Sequence, residues 1–238
     1  MNTVGHVLRT IDYKDNSKLL YVYTNEGIKS MIARGVKKMQ SPLSHLAQSS
    51  NLINMTLSQA KLPTLKEAAL IDYYPEIKND LIKTTIMDVI NELIYYNVGD
   101  NDNHEKMLAF IQKVAKAIEQ TNTPLEVLLI FELKFLYFTG YAVPLKHCHV
   151  CQGREDLAFD LYEGALVCPT HKEINHQYYG KEIYKPMQYY YYVDILQFKA
   201  LELEHKTMKQ LFDITTALCS MHLGFTSKAK KILLTLID

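Results

Sequence analysis

Near Pro75 the hydrophobic period of this 238-residue chain changes from strand-like to helix-like, which demands two different kinds of packing from one polypeptide. Before the change, Val4 to Thr10, Lys18 to Thr24 and Ile28 to Arg34 are rich in Val, Ile, Leu, Tyr and Thr, and Asn25-Glu26-Gly27 reads as a hairpin turn. Leu52 to Lys61 and Leu65 to Tyr73 add two more candidate strands. Five strands in about seventy residues is the size of a small Greek-key barrel, and a split sheet of an α+β domain fits the same periodicity. After the change, Ile77, Leu81, Ile82, Ile86, Val89, Ile90, Leu93 and Ile94 recur at helical spacing up to a polar loop, Asn97 to Asn103. Met107 to Ile118 carries a second helix, and Thr123 with Pro124 opens a third that runs through Phe138 to Gly140. Beyond a loop-like, cysteine-bearing stretch, Tyr191 to Leu203, Lys206 to Leu223 and Ser227 to Leu236 read as further helices. The run Tyr189 to Tyr192 is read as core packing or a turn surface.

A chain that is 48% hydrophobic and 22% charged can bury a core, so global disorder is excluded. Its longest apolar stretches, Leu125 to Ile130 and Ile232 to Ile237, fall far short of the roughly 18 uncharged residues of a membrane span. His6 and Arg9 interrupt the first apolar run and no cleavage site follows, so a cytoplasmic address is expected. Four cysteines in a reducing compartment point to metal ligands or inert thiols rather than disulfides. Net charge is zero, but it is unevenly spread. Residues 1–62 hold eight basic against three acidic side chains (+5), 63–147 eight against twelve (−4), and 148–238 ten against eleven (−1). Such asymmetry implies that the first portion meets an anionic partner.

The sharpest local motif is Cys148-x-x-Cys151, sixteen residues, then Cys168-x-x-His171. Two close pairs of soft or borderline ligands can fill the four positions of a tetrahedral zinc. Gly153, Gly164 and Pro169 permit the tight turns around each pair, and His147 and His149 are spare ligands beside the first. A closed Cys3His shell leaves no position for water or substrate, so one structural Zn2+ is expected rather than a catalytic one. Cys219 sits among helical apolar residues as a core thiol. Enzyme signatures are missing: no phosphate loop, dinucleotide fingerprint, HExxH or GxSxG occurs. A thiol enzyme built on the CxxC is the weaker reading, because the second knuckle accounts for the same residues.

The second motif is Ala33-Arg34-Gly35-Val36-Lys37-Lys38, followed by Ser41-Pro42-Leu43. Three cations at a strand end, with a glycine to turn the backbone, can project together toward phosphates, or else form a solvated loop. Arg9 is expected as their neighbour. Tyr13, Tyr21 and Tyr23 either stack on bases or pack the barrel.

These pieces, taken in order, carry a resemblance. Ala33-Arg34-Gly35-Val36, Ser41-Pro42-Leu43, Phe131-Glu132-Leu133, Gly140-Tyr141-x-x-Pro144-Leu145-x-x-Cys148-x-x-Cys151, Gly164, Cys168, His222-Leu223-Gly224-Phe225 and Ser227-Lys228 together resemble the bacterial RecO family of recombination mediators across essentially the whole chain. The resemblance implies a multidomain α and β protein: an N-terminal OB-fold β-barrel over 1–78, then an all-helical domain over 79–238 with an inserted zinc-binding knuckle at about 145–173. It implies a non-enzymatic, nucleoid-associated DNA-repair protein that binds single- and double-stranded DNA and anneals complementary strands. Such a protein acts with RecR and single-strand-binding protein to load RecA. Many relatives carry cysteine where this chain has His171. On these expectations Cys148, Cys151, Cys168 and His171 hold the zinc, and Arg9, Arg34, Lys37 and Lys38 contact DNA. The alternative is a zinc-stabilised protein-interaction adaptor with weak DNA contact.

Overall fold

The computed structural model describes residues 2–38, 41, 43–99 and 103–237. Pro42 of the Ser41-Pro42-Leu43 motif and residues 100–102 of the polar loop lie outside the described residues. The chain divides into two units, Met1–Asn122 with Ser227–Asp238, and Thr123–Thr226.

The first unit begins with five antiparallel strands, β1 (Asn2–Tyr13), β2 (Ser17–Thr24), β3 (Gly27–Ala33), β4 (Leu52–Leu57) and β5 (Leu65–Asp72), in the order β3-β2-β1-β4-β5. Alternation drives the sheet: Val7, Leu20, Val22, Met31, Ala33, Ile53 and Met55 all point to one apolar core. β1 is the hub. Asn2–His6 pair with β4 and Gly5–Tyr13 with β2, so Gly5 and His6 pair on both sides and the second half keeps only β2. Leu8 is an extra residue between the Val7 and Arg9 pairs, a bulge that bends the strand where it leaves β4. At that point Val7 bonds Asn51 O (2.8 Å) and Ser50 N (2.7 Å), which anchors the loop that leads into β4.

The expected barrel does not close. The edge strands meet only at one parallel bridge, Ile32 with Thr64, where Ile32 N donates to Pro63 O at 2.8 Å. Pro63 has no N–H to return, so it cannot extend the ladder.

Three helices follow, α1 (Pro75–Asn79), α2 (Leu81–Asn97) and α3 (His104–Gln120). The apolar spacing from Ile77 to Ile94 reads as one helix, but the structure breaks it at Asp80. That residue is extended, and its carboxylate accepts from Lys83 N at 3.0 Å as the cap of α2. Asn103 caps α3 in the same way through Lys106 N. The last helix, α7 (Lys228–Ile237), packs on α2, and Glu92 accepts from Ser227 Oγ (2.7 Å) and Ala229 N (3.2 Å) to hold its start. A buried relay joins sheet to helix: His6 Nε2 meets Asn91 Oδ1 at 3.0 Å, and Asn91 Nδ2 donates to Ser50 Oγ at 3.1 Å. Burial drives the His6 pKa down to about 4, so the ring is neutral in the fold.

The second unit contains α4 (Pro124–Phe138), α5 (Lys181–Tyr192) and α6 (His205–Leu223). α4 is apolar nearly all round and lies at the centre of the unit, with two buried carboxylates that accept hydrogen bonds from within it. Glu126 accepts from Tyr190 Oη (2.8 Å) and Leu201 N (2.9 Å), and Glu132 accepts from Thr215 Oγ1 (2.6 Å). Tyr190 therefore belongs to the core.

Two expectations fail in this unit. Residues 193–203 are not helical, because the helix ends at Val193 and Asp194 folds back to accept from Leu196 N at 2.9 Å. The real helix lies earlier and tolerates Pro186 in its interior. The cysteine-bearing stretch, read as a loop within an all-helical domain, instead forms a small sheet. Its strands, β6 (Ala158–Asp160), β7 (Ala165–Val167) and β8 (Tyr178–Tyr179), run in the order β7-β6-β8. Each strand is three residues or fewer, too short to show a period of two.

Candidate metal centre and cationic face

The second unit gathers Cys148, Cys151, Cys168 and His171 through that small sheet. Cys148 N donates to Gly153 O at 2.8 Å and Gln152 N to Cys148 O at 3.0 Å, which winds the first knuckle into a tight turn. β7 delivers Cys168, and a 3-10 turn, Pro169–His171, brings the imidazole round through His171 N to Cys168 O at 3.0 Å. The four ligand atoms all lie within 4.8 Å of one another.

Two of the three close donor separations match a tetrahedral ion, and the third is shorter. With Zn–S of about 2.3 Å and Zn–N of about 2.0 Å, neighbouring donors should be about 3.5–3.8 Å apart. Cys151 Sγ and Cys168 Sγ are 3.8 Å apart, Cys148 Sγ and His171 Nδ1 3.7 Å, and Cys168 Sγ and His171 Nδ1 3.1 Å. The electrostatics agree. Burial opposes ionisation of Cys148, but backbone N–H groups of Cys151, Cys168 and Val150 outweigh it and bring the pKa down to about 6. Contact with His171 lowers the Cys168 thiol, and Cys168 in turn raises the imidazole. Cys151 goes the other way: the Gly153 N–H favours its thiolate, but desolvation and the neighbouring sulfurs of Cys148 and Cys168 raise it, so Cys148 and Cys168 are the two thiols favoured as thiolate, the form that ligates zinc. Of the spare histidines, His147 turns to its neighbour's carbonyl (Nδ1 to Cys148 O, 3.3 Å), and neither His147 nor His149 joins the cluster.

The same small sheet holds a pair the sequence did not single out, His176 Nδ1 to Asp160 Oδ2 at 2.8 Å, in which the buried carboxylate raises the imidazole pKa. Only the pairing of β6 with β8 brings the two together, sixteen residues apart in the chain.

In the first unit the cations of the second motif occupy one end of the sheet. β3 stops at Ala33, and Gly35 at φ 71° turns the chain, a conformation that favours glycine. Arg34, Lys37 and Lys38 are exposed, with Lys38 N on Gly35 O (3.1 Å) and Lys37 N on Asn16 O (3.3 Å). The second bond ties this turn to the β1–β2 turn, so Lys14 joins the same end, and Lys18 pairs across to Ala33. Neither lysine was among the candidates, because hairpin register, not sequence spacing, places them there. Lys37 is partly neutralised by Asp12 at 2.8 Å, and that contact lowers the carboxyl pKa.

Arg9 is not a neighbour of these cations. It sits in the Arg9–Tyr21–Ser30 row, three pairs before the Asp12–Lys18–Ala33 row, over the Tyr95 ring (5.5 Å) and donating to Tyr96 Oη (3.4 Å). The tyrosines divide. Tyr23 is fully buried with its hydroxyl on His104 Nδ1 (2.9 Å), and Tyr21 packs edge-on against Tyr95, so both serve the fold.

An antiparallel sheet with a cationic end, carried in the same chain as a helical unit with a Cys3His cluster, defines a modular protein with a candidate metal centre and a surface for an anionic partner. Comparison with known proteins then gives the family. Residues 1–74 match the family model described as Recombination protein O N terminal, and residues 78–231 match Recombination protein O C terminal. The chain belongs to the recombination protein O family. It is similar to proteins named DNA repair protein RecO from Bacillus cereus (strain AH187) and Bacillus anthracis, at 25% identity over 96% of this chain and 94% of theirs. The protein of that name from Bacillus mycoides (strain KBAB4) is 24% identical over the same shares.

Proposed function

We propose that this chain is a DNA-binding recombination mediator in DNA repair, acting without catalysis. In this reading the N-terminal sheet over 1–78 is an OB-fold that binds single- and double-stranded DNA. Residues 79–238 form the helical portion, with a structural zinc in the insertion at about 145–173. The observation that carries the reading is the convergence of Arg34, Lys37, Lys38, Lys14 and Lys18 on one end of the sheet. Such a face neutralises phosphates without reading bases, so it serves any sequence and brings complementary strands together. Arg9 would add to it as a separate contact on β1.

Zinc at Cys148, Cys151, Cys168 and His171 would supply cross-linking of two chain segments and no chemistry, since all four positions are filled by protein. RecR, single-strand-binding protein and, through them, RecA are the partners the family reading brings, in the cytoplasm at the nucleoid.

A test is annealing of complementary oligonucleotides, followed with a gel-shift titration of single-stranded DNA at two salt concentrations. The reading expects annealing at equal rates with and without ATP, since base pairing supplies the driving free energy, and binding that weakens steeply with salt. Absence of DNA binding at low salt would transfer the protein to the adaptor class, and a strict ATP requirement would mean an enzyme.

A further inference from the structure

Where β1 parts from β4, the structure leaves a cavity of about 450 Å³ within the first unit. Its origin is the strand geometry: beyond His6 the β1 edge has no partner strand, the bulge at Leu8 redirects Arg9, and α2 and α7 close the space instead. Volumes of about 300–1,000 Å³ are typical of sites that enclose a small molecule.

The lining is chemically sorted. Arg9 and Lys228 contribute two cations, and among the described residues neither is in an ion pair with a carboxylate. Tyr95 and Tyr96 contribute aromatic surface, with Tyr96 55% exposed and its ring edge-on to Tyr95 at 4.8 Å. Asp88 and Glu92, one turn apart on α2, contribute acceptors. Glu92 is already engaged by Ser227 and Ala229, which leaves Asp88 as the acceptor that faces the space.

Cation, ring and acceptor are the three groups that recognise phosphate, base face and base amine. We propose that this cavity holds one nucleotide of a bound single DNA strand, its phosphate on Arg9 and Lys228, its base against Tyr96, and its exocyclic amine on Asp88. The proposal rests on the DNA-binding reading and adds to it a discrete pocket with a base preference. Asp88 is exposed to the space, and at neutral pH it is mainly a carboxylate that accepts from cytosine N4. Thymine has no such amine, so cytosine is favoured over thymine. The carboxylates also fix the orientation, because a phosphate beside Asp88 would be repelled.

The test uses the full chain and four probes: dCMP, dTMP, deoxycytidine and a fluorescent single-stranded oligonucleotide. Calorimetry should show one saturable dCMP site, weaker by about tenfold for deoxycytidine, which lacks the phosphate, and weaker for dTMP. Tyr96→Ala should weaken both dCMP and oligonucleotide by about tenfold, the order expected for one base–aromatic stack. Lys228→Met should weaken dCMP and flatten the oligonucleotide salt slope by about 0.7. Both side chains are exposed, so each variant should keep the parent's melting temperature, and Asp88→Asn should erase the preference for dCMP over dTMP.

Oligonucleotide binding that is normal in Tyr96→Ala and Lys228→Met, with no saturable dCMP site up to about 10 mM, overturns the pocket and leaves the DNA-binding reading standing. Saturable dCMP binding without any oligonucleotide binding overturns both, and makes the cavity a site for free nucleotide.

Discussion

The Cys3His cluster and the cationic sheet end use charge in opposite ways. In the cluster four donors converge within 4.8 Å and the backbone has already arranged N–H groups to favour thiolate. At the sheet end the cations are exposed or half-buried, and among the described residues only Lys37 is in an ion pair, with Asp12 at 2.8 Å. Among the described residues Arg34, Lys38, Lys14 and Lys18 are in no ion pair, so these cations are not locked in a surface network. A closed constellation of this kind stabilises a fold. An open one stays available to a partner.

The comparison breaks first, and with the largest effect, at the metal. Zinc in small Cys/His sites contributes about 10–16 kcal/mol, comparable to the about 5–15 kcal/mol that holds a whole domain. Chelation, or Cys151→Ser, should therefore abolish the cooperative melting of residues 123–226 and leave the N-terminal sheet folded. Metal analysis with calorimetry checks this, and less than about half an equivalent of zinc with unchanged melting in chelator would remove the closed site.

Next in size is the charge reversal Arg34→Glu, Lys37→Glu, Lys38→Glu. It should weaken single-strand binding by about a hundredfold and stop annealing, while zinc content and helicity stay as in the parent.

His6 gives a smaller, pH-dependent effect. Its folded pKa of about 4 lies below the unfolded value of 6.5, so the folded state binds fewer protons in acid. Stability is full above pH 6.5 and is lost as pH falls from there toward 4, which amounts to about 2 kcal/mol between pH 7 and pH 5. Urea unfolding of the sheet, followed at both pH values, should show that loss in the parent and not in His6→Gln.

Smallest is Asp12→Asn. Releasing Lys37 from an exposed ion pair should raise DNA affinity by about two- to threefold, visible in fluorescence anisotropy at low salt.

Legibility follows from how local each feature is. The five strands and the helices α2, α3 and α4 were readable because each is long enough to show its period, and the Cys-x-x-Cys and Cys-x-x-His pairs were readable because each ligand pair is made within one turn of chain. The break at Asp80 was missed because apolar spacing continues through it, while the cap depends on one carboxylate reaching Lys83 N. The helix expected at Tyr191 to Leu203 was displaced because Tyr191, Ile195 and Leu196 imitate a helical stripe, and Pro186 argues against the segment that does coil. β6 to β8 are too short for periodicity. Lys14 and Lys18 join the cationic end, and Arg9 leaves it, through strand register, which a single sequence does not specify.

The central claim, that the sheet end is the DNA surface and the metal cluster is not, is tested most directly by the salt dependence of single-strand binding, measured with zinc content on the same samples. For the parent against the Arg34, Lys37, Lys38 triple variant, the account predicts a log–log slope shallower by about 2, near 0.7 for each lost phosphate contact, at unchanged zinc stoichiometry. A variant that binds with the parent's affinity and slope would contradict it.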